Sequence, residues 1–108
     1  MDRIRLIASD MDATLLDEQS QLPADFEETI HALAELGIRF APASGRPLYT
    51  LERMFPTLQD ELVFIGDNGG AIRWKGQNLF TSEMSPEGWR ALNRLTREQG
   101  DIAVLCGL

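Results

Sequence analysis

The sequence has one cysteine, one histidine and one lysine, and it has no apolar run long enough to cross a membrane. Cys106 has no partner for a disulfide and no cationic neighbour, so we expect an unreactive thiol. The net charge of −7 argues against nucleic acids and anionic membranes as partners, because a surplus of Lys and Arg binds their phosphates. Because no signal peptide is evident either, the sequence predicts a cytoplasmic protein.

The order of the apolar runs predicts an α/β fold in one domain of 108 residues. Runs at 4–9, 38–43 and 62–65 are predicted strands, and the first is so continuously apolar that we expect it to be covered on both faces. Helices are predicted at 23–36 and 47–55. Strands that alternate with helices form right-handed crossovers, so the sequence predicts a Rossmann-like parallel sheet.

The second part of the chain predicts a hairpin and a further helix. The hairpin joins residues 71–74 to residues 78–81. The helix covers about 86–99, with Ser85 as its N-cap. An apolar, strand-like run follows at 102–108, and such a strand needs a partner for its backbone hydrogen bonds.

Two aspartates, Asp10 and Asp12, follow the first predicted strand. Burying a carboxylate is costly unless it is paired, and the carboxyl ends of parallel strands form the ligand crevice of α/β sheets. An Asp-x-Asp sequence is also consistent with a plain turn. Because two close carboxylates repel each other, the pair suits a division into a metal-bound nucleophile and a proton-transfer acid/base. Thr14 adds a hydroxyl just beyond them.

Small or polar residues also follow the other two predicted strands, at 44–46 and 67–70. In a parallel sheet these loops would line one crevice together with the aspartates. Ser44 could donate its hydroxyl to a phosphate oxygen, with the N–H groups of Gly45 and Arg46 adding donors at a helix start. Taken singly, Ser44 is equally consistent with a plain N-cap, and Asn68 with a turn.

These residues resemble the motifs of the haloacid dehalogenase-like phosphatases, and within them those of the Cof-like subfamily, which carries a large α/β cap. The first motif of the family is Asp-x-Asp-Gly-Thr-Leu-Leu, and residues 10–16 match it except that Ala13 stands where glycine is usual. If the turn requires a positive φ, alanine is strained there by about 1 kcal/mol. Residues 44–47, Ser-Gly-Arg-Pro, resemble the second motif, and Asn68-Gly69 resembles a turn common in the subfamily.

The resemblance covers essentially the whole chain and implies its division. Residues 1–83 would be the N-terminal part of an incomplete core, and residues 84–108 would be the first helix and strand of a cap domain. The family also has a third-motif lysine and an acidic fourth motif, both after the cap. Lys75 lies in the hairpin turn and matches neither, and Asp67 comes too early for the fourth motif. We therefore expect the remaining strands to be missing from this chain.

The resemblance implies a hydrolase of small phosphate esters, such as sugar phosphates. Asp10 would attack phosphorus to form an aspartyl-phosphate, and Asp12 would protonate the leaving alcohol and then activate water. Mg²⁺ would bind the Asp10 carboxylate and the Asp12 backbone carbonyl, although one carboxylate holds this ion poorly. Ser44 would bind a phosphoryl oxygen. The other substrate-binding residues implied are Thr14, Gly45, Arg46 and Asn68.

Two other functions remain open from the sequence. The chain could be a non-catalytic module that self-associates through an exposed sheet edge and the apolar terminal run. It could also be a receiver-like signalling domain, for which Asp67 is the only candidate phosphate acceptor. A receiver-like domain would carry adjacent acids after its first strand. The pattern Asp-x-Asp-x-Thr therefore favours the phosphatase.

Overall fold

The computed structural model describes residues 3–107, which form a five-stranded sheet with helices packed against it. The strands are β1 (Leu6–Asp10), β2 (Arg39–Ala43), β3 (Val63–Gly66), β4 (Ala71–Trp74) and β5 (Gln77–Thr81). The helices are α1 (Phe26–Glu35), α2 (Leu48–Arg53) and α3 (Pro86–Glu98). Short helical turns at Met11–Leu15 and Asp67–Gly69 follow β1 and β3. The predicted α/β class is confirmed.

The five strands lie in the sheet in the order of the chain. β1, β2 and β3 run parallel, as expected for strands joined through the helices α1 and α2. β4 and β5 form the predicted hairpin and are antiparallel to their neighbours. Its turn is Lys75-Gly76, and both residues have positive φ. The sheet is therefore parallel through its first three strands, and the hairpin makes it mixed.

The core lies between β2, β3 and the first two helices. Phe26 of α1 packs against Phe40 of β2 and against Phe55, which follows α2. Phe55 in turn contacts Phe64 of β3. Aromatic pairs at such separations add to the stabilisation from burial alone. Met11, fully buried, attaches the turn after β1 to this core.

β1 is less covered than its composition predicts. It pairs only with β2 among the described residues, and Leu6 and Ile7 remain 55% and 36% exposed. The expectation of a strand covered on both faces is therefore wrong for this chain. An apolar run indicates that a strand is suited to burial, but it does not show which neighbouring elements cover the strand.

Helix signals in the sequence identify the helices, with boundaries shifted by a few residues. α1 begins at Phe26 rather than residue 23, because the preceding residues form a turn. Its end is as predicted, since Gly37 adopts a φ of 76° there. For α3, Ser85 is the N-cap, and its Oγ accepts a hydrogen bond from Gly88 N at 3.0 Å. No helix in residues 3–107 has the length and apolar character of a membrane span.

The predicted terminal strand is absent from the described residues. Residues 102–107 form no strand, and Ile102 and Val104 are 91% and 81% exposed. A strand exists only through hydrogen bonds to a neighbour, and no strand in residues 3–107 pairs with this segment. Residue 108 lies outside the described part of the chain.

The turn after β1 has a left-handed residue at its centre. Ala13 has φ 59° and ψ 13°, while Asp12 before it is extended. Leu16 N closes the turn by donating to Met11 O at 2.8 Å. A Cβ in this conformation costs about 1–2 kcal/mol, which glycine avoids. Ala13 therefore has the positive φ at which we expected alanine to be strained.

The end of β3 lies against the start of α2. A Cβ added at Gly66 would lie 3.0 Å from Arg46 O and 3.1 Å from Leu48 N. Both atoms belong to the backbone, so they cannot move aside as a flexible side chain could. Gly66 therefore permits the close approach of the loops that follow β2 and β3.

We predict that Ala13→Gly stabilises the chain by up to about 1 kcal/mol. The relief of left-handed strain, about 1–2 kcal/mol, exceeds the extra entropy of glycine in the unfolded chain, about 0.4–1 kcal/mol. Urea unfolding measures the change. As a control, Ala32→Gly within α1 should destabilise by about 1 kcal/mol. A loss of stability in Ala13→Gly would contradict the strain.

We predict that Gly66→Ala destabilises the chain by about 1–3 kcal/mol, since the added methyl meets backbone atoms. Gly107→Ala is the control, because a Cβ there has nothing within 4 Å. Its stability should stay within about 0.5 kcal/mol of the parent chain. Equal unfolding midpoints for the two variants would show that Gly66 is not required by packing.

Candidate active site

The ends of the three parallel strands lie side by side. In the sheet register Asp10 is opposite Ala43, and Ala43 is opposite Ile65. Asp10 and Ala43 are also the last residues of β1 and β2. The loops that follow therefore start at one edge of the sheet, where α/β proteins place their ligands.

The loops after β1, β2 and β3 are called the first, second and third loops. The first loop keeps its polar groups at the surface. Thr14 Oγ1 lies 3.5 Å from Asp10 Oδ2, at the outer limit of a hydrogen bond, so the turn folds the hydroxyl back towards this carboxylate. Met11 points the other way, into the core, as the alternation of a strand requires. Asp10 and Asp12 are both exposed, contrary to the expectation of buried carboxylates. The cause is the uncovered position of β1 at the edge of the described sheet.

Asp12 is bound by Arg46 from the second loop. Arg46 Nη2 donates to Asp12 Oδ1 at 3.0 Å, and Nη1 donates to Oδ2 at 3.2 Å. A guanidinium that binds both oxygens of a carboxylate fixes the orientation of the carboxylate as well as adding charge attraction. Arg46 was expected among the substrate-binding residues, and in the structure its guanidinium binds Asp12.

The hydroxyl of Ser44 accepts two hydrogen bonds from one residue. Arg46 N and Arg46 Nη1 each lie 3.1 Å from Ser44 Oγ. A serine hydroxyl has two acceptor lone pairs and one hydrogen to donate, so both acceptor positions are filled. Ser44 is only 9% exposed, and within residues 3–107 no oxygen accepts its hydrogen. Ser44 Oγ can therefore act towards a ligand as a hydrogen-bond donor.

The second and third loops are joined by backbone hydrogen bonds. Ser44 N donates to Ile65 O at 3.0 Å, and Asn68 N donates to Ser44 O at 3.0 Å. Asp67 N donates to Arg46 O at 2.9 Å. Asp67 and Asn68 hold φ values of 50° and 54°, in the left-handed region that Asp and Asn tolerate better than other residues with a Cβ. Strained backbone of this kind is concentrated at functional sites.

Gly45 and Asn68 meet where these two loops touch. A Cβ at Gly45 would lie 3.1 Å from Asn68 Oδ1. The absence of a side chain at Gly45 therefore leaves room for the Asn68 amide. The expectation that Gly45 and Arg46 offer N–H groups at a helix start needs correction. α2 begins only at Leu48, and the Arg46 N–H is already bound to Ser44.

The residues predicted to bind Mg²⁺ supply only a few ligands. No group of three or more His, Cys, Asp or Glu residues that could hold a metal occurs within residues 3–107. Of the predicted pair, Asp10 would supply its carboxylate and Asp12 its backbone carbonyl, while the Asp12 carboxylate is held by Arg46. Carboxylate and carbonyl oxygens are the donors that Mg²⁺ prefers, and this ion commonly keeps several waters. The donor type fits the ion, and the number of protein donors is low.

The ion pair between Asp12 and Arg46 was missed from the sequence. The pair could have been inferred from the predicted strands, because each residue lies shortly after one of two neighbouring parallel strands. A groove of about 630 Å³ was also missed. It is lined by Asp67, Gly70, the 82–84 segment, Trp89 of α3 and residues 104–107, and by none of the residues predicted for the phosphatase site.

Sequence comparison relates the chain to known hydrolases. Residues 7–107 match the family described as haloacid dehalogenase-like hydrolase. The 5-amino-6-(5-phospho-D-ribitylamino)uracil phosphatase YbjI of Escherichia coli is 35% identical over 107 residues, which are 96% of this chain and 39% of that protein. HMP-PP phosphatase of Cronobacter sakazakii is 36% identical over 84 residues, 77% of this chain and 31% of that protein. The chain thus spans well under half the length of these relatives.

Solved structures of longer proteins contain the same fold. SMU.1108c from Streptococcus mutans superposes with a TM-score of 0.80 and 31% identity, over 90% of this chain and 37% of that one. A haloacid dehalogenase-like hydrolase from B. subtilis superposes with a TM-score of 0.71 and 26% identity, over 90% of this chain and 34% of that one.

The residues matched by the family include the first two motifs of the candidate site. Residues 7–107 contain Asp10, Asp12 and Ser44, together with the loop that follows β3. The match and the relatives confirm the resemblance on which the predicted site was based. The chain belongs to the haloacid dehalogenase-like hydrolase family.

Proposed function

We propose that this chain supplies the nucleophile, the acid/base and part of the phosphate pocket of a hydrolase of small phosphate monoesters. The observation that carries the proposal is the Ser44 hydroxyl. Its acceptor lone pairs are filled by Arg46, so its hydrogen is directed to a ligand acceptor such as a phosphoryl oxygen. The phosphatase names of the relatives support this class of substrate.

In the proposed reaction a carboxylate oxygen of Asp10 attacks phosphorus, and the bond from phosphorus to the ester oxygen breaks. Asp12 gives its proton to that oxygen, so that the alcohol leaves neutral. Water then attacks the aspartyl-phosphate, and Asp12 takes the proton of the water. Inorganic phosphate leaves and the Asp10 carboxylate is restored. The exposure of both aspartates gives substrate and water access to them.

The other polar groups would hold the phosphoryl group during both steps. Ser44 would donate to one of its oxygens, and Thr14, Gly45 and Asn68 would line its pocket, with Arg46 beside them. Mg²⁺ would be bound by the Asp10 carboxylate and the Asp12 backbone carbonyl. When bound, this ion offsets the negative charge that collects on the phosphoryl oxygens.

We also propose the domain division expected from the sequence. Residues 1–83 belong to the core, and residues 84–108 begin a cap. The support is that no residue of α3 is buried, whereas the strands β2 to β4 carry buried side chains, and the exposed strand β5 lies between these two parts. Cytoplasmic localisation stays a prediction from the sequence.

Self-association remains a second candidate, because Ile4, Leu6 and Ile7 of the β1 region are exposed beside an edge that no described strand covers. Light scattering of the purified chain tests it. A monomer would contradict this candidate and leave the hydrolase proposal intact. Membership of a hydrolase family favours the hydrolase over the receiver-like alternative.

We predict that Asp10→Asn abolishes hydrolysis of p-nitrophenyl phosphate, by a factor of about 10³ or more, because an amide cannot act as the nucleophile. The assay uses Mg²⁺ and the purified chain, or any longer protein that contains it. Asp67→Asn is the matched control, since it makes the same change in a different loop. Trapped acid-stable phosphate on the wild-type protein should map to Asp10. Turnover that persists in Asp10→Asn would contradict the assignment.

We predict different effects of the two aspartates on Mg²⁺ affinity. Asp10→Asn should weaken Mg²⁺ binding roughly tenfold or more, because it removes the ligand charge. Asp12→Asn should change it little, since a backbone carbonyl is proposed as the ligand there. Isothermal titration calorimetry of the two variants measures both effects. An equal loss in both would assign the Asp12 side chain, rather than its backbone, to the metal.

A further inference from the structure

Arg46 is held in place by contacts at its side chain and at its backbone. Its guanidinium binds both oxygens of Asp12, at 3.0 and 3.2 Å, and also Ser44 Oγ, at 3.1 Å. Its backbone N–H donates to the same Ser44 Oγ, and its carbonyl accepts from Asp67 N. A long side chain tied at this many points keeps one conformation, which is unusual for an arginine at a surface.

The burial of the two partners differs in a way that matters for function. The Arg46 side chain is 29% exposed, whereas the Asp12 side chain is 68% exposed. Asp12 is therefore the more accessible partner of the ion pair. Each carboxylate oxygen has a second lone pair, so Asp12 can bind Arg46 and still exchange a proton with a ligand in front of it.

We propose that Arg46 is a positioning residue, which orients the Asp12 carboxylate for proton transfer instead of binding the substrate phosphoryl group directly. This inference rests on the proposed function of Asp12 as acid/base. It differs from the expectation drawn from the sequence, in which Arg46 is one of the substrate-binding residues. Through Nη1, Arg46 also sets the Ser44 hydroxyl relative to Asp12, so one side chain aligns the acid/base with the phosphate donor.

The geometry requires arginine rather than any cation. The bidentate contact needs two parallel N–H groups in a plane, and the third contact needs another N–H of the same group. A lysine ammonium carries the same charge but cannot hold both Asp12 oxygens in this way. Arg46→Lys therefore separates orientation from charge.

The two roles predict opposite kinetics for Arg46→Ala with p-nitrophenyl phosphate and Mg²⁺. If Arg46 positions Asp12, kcat falls roughly 10- to 100-fold and KM stays within about threefold, because the transition state is affected rather than binding. Arg46→Lys should lose nearly as much kcat, and added guanidinium should restore part of it in Arg46→Ala. A rise in KM with unchanged kcat, or full activity in Arg46→Lys, would overturn the proposal.

Controls separate this inference from the proposed function. Arg53→Ala removes an exposed arginine from α2 and should leave both kinetic constants unchanged. Hydrolysis that survives Asp10→Asn contradicts the proposed function. Hydrolysis that depends on Asp10 but shows only a KM effect in Arg46→Ala contradicts the positioning role alone.

The ion pair between Arg46 and Asp12 can also be tested by a measurement that does not depend on hydrolysis. In the wild-type chain, nitrogen-15 NMR should resolve separate Nη resonances for Arg46, because the contacts with Asp12 and Ser44 restrict rotation of the guanidinium. In Asp12→Ala these resonances should average to those of a mobile arginine. Averaged Arg46 resonances already in the wild-type chain would overturn the proposal, whatever the kinetic results.

Discussion

Ser44 is the residue on which the candidate site depends, because it joins all three loops. Its N–H binds the end of β3 and its carbonyl receives Asn68 N, which fixes the third loop. Its hydroxyl receives two N–H groups of Arg46, and Arg46 in turn holds Asp12 of the first loop. A buried residue with all its backbone and acceptor groups engaged has little freedom to move. Loss of Ser44 would therefore loosen the whole site and remove the donor proposed for the phosphate.

Strained backbone lies in the two loops on either side of Ser44. Ala13, Asp67 and Asn68 all adopt left-handed backbone conformations, which cost about 1–2 kcal/mol at Ala13 and less at Asp and Asn, because these two residue types tolerate this region. Such conformations persist only where the surroundings determine them. The Ala13 turn is closed by its own hydrogen bond and by the buried Met11, and Asp67 and Asn68 are bound to the second loop. The contacts that hold these backbone conformations thus lie next to the strained residues, at the edge of the sheet where the loops meet.

The sequence predicts features that are set by residues close together in the chain. It misses features that are set by residues distant in the chain but close in space. The helix end at Gly37, the Ser85 cap and the hairpin were predictable, because turn and cap preferences act over a few residues. The exposure of β1 and the absence of a strand at 102–107 were not, because an apolar run does not reveal whether a partner is beside it. The Asp12–Arg46 pair, 34 positions apart, required the register of β1 against β2.

The balance of charge at the site favours a cation in the reaction. Asp10 and Asp12 at the first loop and Asp67 in the third bring three carboxylates to this edge of the sheet, and Arg46 of the second loop contacts Asp12. A phosphate monoester adds further negative charge close to Asp10, where Coulomb repulsion is strong at short range. Arg46 binds Asp12 with both Nη groups, so these groups are not directed at a phosphoryl oxygen beside Asp10. The positioning role of Arg46 and the proposed need for Mg²⁺ are then two consequences of the same contact.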